Sequence, residues 1–218
     1  RGSVAHQALF KFYSGLPKRI GSERVDPQRL DETLEFLREC LSEAIEGGVW
    51  IELGDLQRRE LEESMWRDLE NFVREEAESP LGLVPRKFEV AFGSERSAPE
   101  LQSGLRVDGF SLTGKIDRID VDPFSARGIV QDYKSGKGAH SARQIDTERR
   151  LQVPLYMLVL RDLVGVEPLG GIYRALAGEG QARGVLRAEA REDGLPGYQR
   201  NDYVDEDSFW GGIERAQE

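Results

Sequence analysis

The spacing of apolar residues divides the chain into a helical first part and a strand-rich second part. Apolar side chains recur every three or four residues in 2–14, 26–46 and 54–78, which predicts three amphipathic helices. Beyond them, apolar and polar residues alternate in several short runs, which predicts strands. The predicted strands are 84–93, 105–112 (a strand or hairpin arm), 112–121, 129–134, 169–177 and 184–190. Helices are predicted again over 148–164 and 205–217, and a loop over 138–147.

The most informative stretch is 112–137, which reads as two strands joined by a turn at Asp122. The period of two places Asp132 and Lys134 on the same face of the second strand. If Asp117 of the first strand faces the same space, two carboxylates and an ammonium group converge. That arrangement suits a hard divalent cation with a charged group beside its bound water. The alternative is a surface ion pair, which contributes little.

Three sequence blocks in this region resemble one nuclease family. The blocks are GKIDRID, DYKSGK and LQVPLY, and they occur in that order from residue 114 to residue 156. They resemble the RecB/AddB branch of the PD-(D/E)XK nuclease superfamily, whose pattern is G-x-[IV]-D-R-[IVL]-D, D-Y-K-[ST]-G and Q-x-x-x-Y. The start of the chain, RGSVAH, also matches the R-G-x-x-x-H helix of these nucleases.

The resemblance implies an α/β fold, whereas the apolar pattern alone shows only that helices and strands mix. The expected fold is a restriction-endonuclease-like core with a mixed central sheet flanked by helices. We expect residues 1–218 to form one nuclease domain, with an acidic helical insertion at 23–83 and the sheet core with its motif helix at 84–190.

The resemblance also implies a set of site residues. Mg²⁺ or Mn²⁺ is expected as cofactor, and Lys134 is expected to orient the attacking water and to offset charge on the phosphate. The implied metal ligands are His6, Asp117, Asp132 and the backbone carbonyl of Tyr133. Gln152 and Tyr156, four residues apart, are expected to face the site from one side of a helix. Arg118 and Lys137 are candidates for phosphate contacts, with plain surface charge as the alternative.

Two further residues are less distinctive. Glu89 lies on a predicted strand where the family often has a glutamate, and an ordinary edge-strand acid explains it at least as well. His140 has no motif around it and is expected to be structural or solvent-facing.

Composition limits the cellular compartment in which we expect the chain to work. The single cysteine, Cys40, excludes an internal disulfide and an iron–sulfur cluster built within this sequence, which suits a reducing bacterial cytoplasm. No apolar run reaches membrane-spanning length, so no membrane association is expected. The sequence opens without Met, and we expect a fragment of a larger helicase–nuclease.

Charge is unevenly distributed along a chain of net charge −10. Residues 23–108 carry 22 acids and 11 bases, whereas residues 115–161 carry 6 acids and 9 bases. The basic surplus around the motifs is small, and phosphate neutralisation supplies most non-specific binding to DNA. The isolated chain is therefore expected to bind DNA weakly.

These observations predict a metal-dependent deoxyribonuclease. We expect an exonuclease that prefers single-stranded DNA and serves as the nuclease module of a RecB/AddB-like complex in DNA repair and recombination, with a helicase domain or subunit as partner. One alternative is a catalytically silent DNA-binding or scaffold module. A second is a stand-alone exonuclease of phage or CRISPR type.

Overall fold

The computed structural model describes residues 2–47, 54–79, 82–136, 138–177, 182–192 and 195–215. The chain forms two compact units. Unit 1 comprises Arg1–Ser79, Lys134–Lys137 and Ala175–Gly180. Unit 2 comprises Pro80–Tyr133, Gly138–Arg174 and Gln181–Glu218.

Unit 1 contains the three helices predicted at the start of the chain. They are α1 (Gly2–Arg19), α2 (Leu30–Glu46) and α3 (Asp55–Glu78). A short 3₁₀ turn, Pro27–Arg29, leads into α2, and the Asp26 carboxylate caps this turn by accepting the Gln28 N–H at 2.9 Å. The helix α1 runs five residues beyond the predicted end at residue 14, through Pro17.

Apolar packing between α1 and α2 holds unit 1 together. The rings of Phe12 and Phe36 pack with centroids 5.8 Å apart. Gly15 lies at this contact, where an added methyl group would come within 2.7 Å of the Phe36 ring, so a glycine permits the close approach. The thiol of Cys40 lies in the same core, and burial raises its pKa to about 12. Cys40 is therefore a packing residue.

Unit 2 is built on a six-stranded mixed sheet with the order β1-β4-β5-β6-β7-β8. The pairs β1–β4, β4–β5 and β6–β7 are antiparallel, and β7–β8 is parallel. The strands are β1 (Val84–Phe92), β4 (Gly114–Val121), β5 (Arg127–Lys134), β6 (Glu167–Ala175), β7 (Arg183–Arg187) and β8 (Tyr203–Val204). Lys134 and Ala175, the last residues of β5 and β6, are grouped with unit 1. The predicted α/β class with a mixed sheet is confirmed.

The segment predicted as a strand or hairpin arm is a separate hairpin. Its strands are β2 (Leu105–Val107) and β3 (Phe110–Leu112). Asp108 and Gly109 both have positive φ, as a two-residue turn of this kind requires.

Three helices pack with the sheet in unit 2: α4 (Ala142–Thr147), α5 (Gln152–Val159) and α6 (Glu206–Glu214). The prediction of a loop over 138–147 is wrong for its second half, which forms α4. A capping box made by Ser141 and Gln144 starts this helix. A π-helical turn, Leu160–Val164, extends α5. Pro154 lies in the first turn of α5, where the missing N–H costs no helical hydrogen bond.

Gly171 explains how α5 lies so close to the sheet. Gly170 and Gly171 both lie within β6, inside the strand predicted over 169–177. An added methyl group at Gly171 would come within 2.4 Å of Val153 Cγ1 and 2.9 Å of Val130 Cγ2. A glycine here lets the first turn of α5 rest directly on the strands.

Candidate active site

Three carboxylates form a row across β1, β4 and β5, which we call the acidic row: Glu89, Asp117 and Asp132. In the β4–β5 register Arg118 pairs with Gln131, and Asp117 and Asp132 are the next residues toward the same end of the two strands. The Tyr133 backbone N–H donates to Asp117 Oδ2 at 2.7 Å, which joins the strands at this point. Both aspartates are buried. Asp117 and Asp132 therefore face the same space, as the predicted metal site requires.

Glu89 is the member of the row that sequence reasoning left out. It lies between residues of β1 that pair with Arg118 and Ile116, so the register places it beside Asp117. One carboxylate oxygen of Glu89 and one of Asp117 lie within 4.8 Å of each other. Its φ of +49° lies in the left-handed region, and strained non-glycine residues concentrate at functional sites. The family pattern was the signal in the sequence that could have identified it.

Residues of α5 position the Asp132 carboxylate. Gln152 Nε2 donates to Asp132 Oδ1 at 2.7 Å and lies 3.2 Å from the Tyr156 hydroxyl, which accepts. The predicted common face of Gln152 and Tyr156 is therefore present, and it is directed at the acidic row. Tyr156 packs edge-on against Phe92, with ring centroids 6.1 Å apart.

The tyrosines beside the row remain protonated over a wide pH range. Burial raises the pKa of Tyr156, and the negative charges of Asp132 and Asp117 raise that pKa further. Burial, followed by the charge of Asp132, raises the pKa of Tyr173 to about 12. Both hydroxyl groups are thus neutral at neutral and mildly alkaline pH.

A second polar group occupies the opposite face of β4 and β5, and we call it the buried clamp: Arg118, Asp120 and Gln131. Arg118 Nε and Nη2 donate to the two Asp120 carboxylate oxygens at 2.6 and 2.7 Å, and Gln131 Nε2 donates to Asp120 Oδ2 at 2.6 Å. Arg118 is only 2% exposed. These contacts correct the predicted phosphate contact of Arg118, because a guanidinium inside the fold cannot reach a DNA strand.

The remaining predicted residues belong to other segments of the chain. His6 is on α1 in unit 1, and its role as a metal ligand stays a prediction from the motif. Lys134 ends β5 and also belongs to unit 1, where its carbonyl oxygen accepts the Leu176 N–H at 2.8 Å. Lys137 lies outside the described residues. His140 packs edge-on against Tyr173, with ring centroids 5.3 Å apart, as a structural role requires.

The acidic row fits a hard divalent cation. Its side-chain donors are carboxylate oxygens, the ligand type that Mg²⁺ and Mn²⁺ prefer. Three acids side by side also repel one another, so a bound cation would remove an electrostatic cost as well as gain ligands. Separately, no helix among the described residues is long and apolar enough to cross a membrane.

Residues 1–207 match the sequence profile of the PD-(D/E)XK nuclease superfamily. The match spans both units and includes the acidic row, the buried clamp and the Gln152–Tyr156 pair. The curated proteins include no match to this chain.

Proposed function

Because this chain belongs to the PD-(D/E)XK nuclease superfamily, we propose that it hydrolyses DNA phosphodiester bonds at the acidic row. The observation that supports this proposal is the row itself: carboxylates of three adjacent strands at one end of the sheet, with Asp132 held by Gln152. A sheet surface built only for stability has no reason to concentrate like charges at buried positions.

Each residue of the acidic row has its own proposed role in binding a cation. Asp117 and Asp132 are the proposed side-chain ligands, Glu89 the third acid of the row, and the Tyr133 carbonyl an additional oxygen ligand. His6 is proposed as a further ligand on the strength of the R-G-x-x-x-H motif alone. A divalent cation bound there would lower the pKa of its water and neutralise phosphate charge.

The hydrogen bonds around the row fix the direction in which each carboxylate is presented. The Tyr133 N–H donates to Asp117 Oδ2 and thereby sets the rotation of the Asp117 carboxylate. Gln152 holds Asp132 Oδ1 and thereby sets the rotation of that carboxylate. Such supporting contacts hold site residues in their productive geometry.

Hydrolysis adds a water oxygen to phosphorus, breaks one P–O ester bond, and leaves a phosphate monoester and an alcohol. Lys134 is the residue proposed to orient the water and to offset the charge that grows on the phosphate. The neutral Tyr156 hydroxyl, held by Gln152, is placed to donate a hydrogen bond without adding negative charge.

We further propose exonuclease action on single-stranded DNA, as the nuclease module of a RecB/AddB-like helicase–nuclease. The support is the three-block sequence resemblance together with a small basic surplus, which favours a substrate delivered by a partner. A helicase domain or subunit would deliver single strands and raise the local DNA concentration.

The direct test is cleavage of labelled linear and circular single-stranded DNA with Mg²⁺, with Mn²⁺ and with EDTA. We expect metal-dependent degradation of the linear strand, sparing of the circle, and loss of activity in Asp117→Asn and Asp132→Asn. The matched control is Asp122→Asn in the β4–β5 turn, which keeps an oxygen to accept the Phe124 N–H. DNA binding without cleavage under any metal condition would favour the catalytically silent module.

Measurements of metal binding distinguish the proposed role of His6 from that of Lys134. His6→Ala should weaken Mn²⁺ binding in calorimetry, whereas Lys134→Ala should leave it unchanged or slightly stronger, because a nearby positive charge is removed. Normal Mn²⁺ affinity in His6→Ala would remove that residue from the ligand set.

A further inference from the structure

A large groove in unit 2 lies on the opposite side of α5 from the acidic row. It has a volume of about 870 Å³ and runs among α4, α5, α6 and β7. Pro154 and Met157 line the groove from α5, while Gln152 and Tyr156 lie nearly half a helical turn away on the same helix. The groove and the candidate active site thus share α5 as a common wall.

The floor of the groove is apolar. Met157, Phe209 and Ile213 line it and are each about 1% exposed, so the groove opens directly onto the hydrophobic core of unit 2. Leu151 lies at the edge and is 44% exposed. The volume is within the range of pockets that bind organic ligands, about 300 to 1,000 Å³.

Positive charge surrounds this apolar floor. Four arginines and two aspartates line the groove: Arg143, Arg149, Arg150, Arg215, Asp146 and Asp207. Arg215 pairs with Asp146 at 2.6 Å and Arg150 pairs with Glu148 at 2.7 Å, so two of the four arginines are neutralised. Within the described part of the chain, Arg143 and Arg149 make no ion pair. A cationic rim stands out in a chain of net charge −10.

Arg149 occupies a backbone position that favours glycine. Its φ is +49°, and it follows α4, where the Arg149 N–H donates to the Asp146 carbonyl and the Arg150 N–H donates to the Ile145 carbonyl, at 3.3 and 2.9 Å. Helices that end in this way usually place a glycine at the left-handed residue. The arginine thus occupies the rim at a cost in backbone strain, as residues at binding sites often do.

We infer that this groove binds single-stranded nucleic acid beside the scissile bond, with backbone phosphates at Arg143 and Arg149 and one or two bases over the apolar floor. The inference rests on the proposed nuclease function, which supplies a strand to bind. Residues 149–151 connect the groove to Gln152 along the chain, so a strand that crosses the start of α5 reaches the acidic row from the groove. Alternating phosphates and apolar bases match a charged rim over an apolar floor.

The test is fluorescence anisotropy with a labelled twelve-residue oligothymidylate in EDTA, which prevents cleavage. Arg143→Ala/Arg149→Ala should bind on the order of tenfold more weakly than wild type, with a shallower salt dependence, because phosphate contacts are lost. The matched control is Arg58→Ala/Arg59→Ala, which removes the same two charges from exposed residues of α3 in unit 1. Unchanged affinity in the double variant would overturn the inference.

Arg149 allows a sharper variant pair. Arg149→Gly relieves the left-handed strain, so it should raise Tm while weakening oligonucleotide binding. Arg149→Lys keeps the charge and should retain most of the affinity. A fall in binding together with a fall in Tm would mark Arg149 as a structural residue and overturn its role in binding.

Two competitors distinguish nucleic acid from other anions. An abasic oligonucleotide of equal length should compete poorly, because its phosphates remain but nothing covers the apolar floor. Polyglutamate of equal charge should also compete poorly, and equal competition by it would assign the groove to acidic protein segments instead.

A small substrate tests the proposed nuclease activity independently of binding in the groove. Bis(4-nitrophenyl) phosphate presents one phosphodiester and is too short to fill both the acidic row and the groove. Arg143→Ala/Arg149→Ala should hydrolyse it at the wild-type rate while cleaving the oligonucleotide more slowly. If wild type cleaves neither substrate with any metal, the proposed function fails, while the EDTA binding result still decides the groove.

Discussion

The acidic row and the buried clamp consist of neighbouring residues but differ in how their charges are compensated. Asp117 and Arg118 are consecutive in β4, and Gln131 and Asp132 are consecutive in β5, so strand alternation directs each pair to opposite faces of the sheet. On one face, Arg118 neutralises Asp120, and both Arg118 and Gln131 donate hydrogen bonds to the Asp120 carboxylate. On the other face, three carboxylates line up.

The two faces differ in whether their charges are compensated by neighbouring side chains of opposite charge. Within the clamp, the Arg118 and Asp120 charges neutralise each other at a buried position, so removing one of them leaves the other buried without its partner. The acidic row accumulates like charge, a cost to the folded chain that a bound cation would offset. The partners of its carboxylates include the exposed Lys115, which pairs with Glu89, and Gln152, whose neutral amide orients Asp132 without cancelling its charge.

Breaking the clamp should have the largest effect on stability. Asp120→Ala leaves the Arg118 guanidinium buried without its carboxylate, and the free energy of unfolding should fall by about 3–5 kcal/mol. Urea denaturation followed by circular dichroism measures the change. Arg118→Met/Asp120→Leu, which removes both charges, should recover most of the loss. A single variant as stable as wild type would show that the clamp is not a stabilising ion pair.

Neutralising the row should do the reverse, with a large loss of activity and little loss of stability. Asp132→Asn should reduce cleavage of single-stranded DNA by about a hundredfold or more, the scale expected for groups that support developing charge. Its unfolding free energy should be unchanged or higher, because like-charge repulsion falls. Wild type should gain thermal stability on addition of Mn²⁺, and the variant should not. Destabilisation as large as that of Asp120→Ala would remove the contrast between the two faces.

Displacing α5 should affect the row while leaving the clamp intact. Gly171→Ala places a methyl group 2.4 Å from Val153 Cγ1, so the helix must move, at a cost of about 1–3 kcal/mol. Gln152, the residue before Val153, would then shift relative to Asp132, and kcat should fall more than the stability loss explains. Gly170→Ala, whose methyl group would meet the β7 residue Leu186 instead, is the matched control. Equal kcat in both variants would contradict the positioning role of α5.

The smallest effect is electrostatic and appears in the titration of Tyr156. Burial raises its pKa and Asp132 adds to that rise, so Asp132→Asn should lower the Tyr156 pKa relative to wild type. Absorbance titration at alkaline pH, taken as the difference from the corresponding Tyr156→Phe proteins, isolates this group. Asp122→Asn should leave its pKa unchanged, and an equal shift there would show that the effect is not specific to the row.

The same raised pKa sets the direction of pH dependence. A phenol whose folded-state pKa exceeds its unfolded value favours folding in its protonated form. For Tyr156 and Tyr173 this contribution is present below the unfolded-state pKa and is lost as pH rises through the folded-state value, about 12 for Tyr173. Alkaline unfolding should therefore begin at higher pH in Tyr173→Phe, if that variant is otherwise as stable.

Local sequence determined a large part of the architecture. Helical spacing of apolar residues predicted α1, α2 and α3, and alternation predicted β1, β4, β5, β6 and β7, because both patterns depend on residues a few positions apart. The motif blocks identified the family and the Asp132–Gln152–Tyr156 group for the same reason: each block is a short run whose geometry its own helix or strand largely sets.

Tertiary structure decided what those elements meet. Arg118 looked like a phosphate contact until the fold paired it with Asp120, and Glu89 looked ordinary until the register placed it beside Asp117. Gly171 belonged to a predicted strand, but only the fold showed that α5 packs on it. Strand register and helix packing join residues tens of positions apart, and alternation within one strand carries no information about which neighbour a side chain will face.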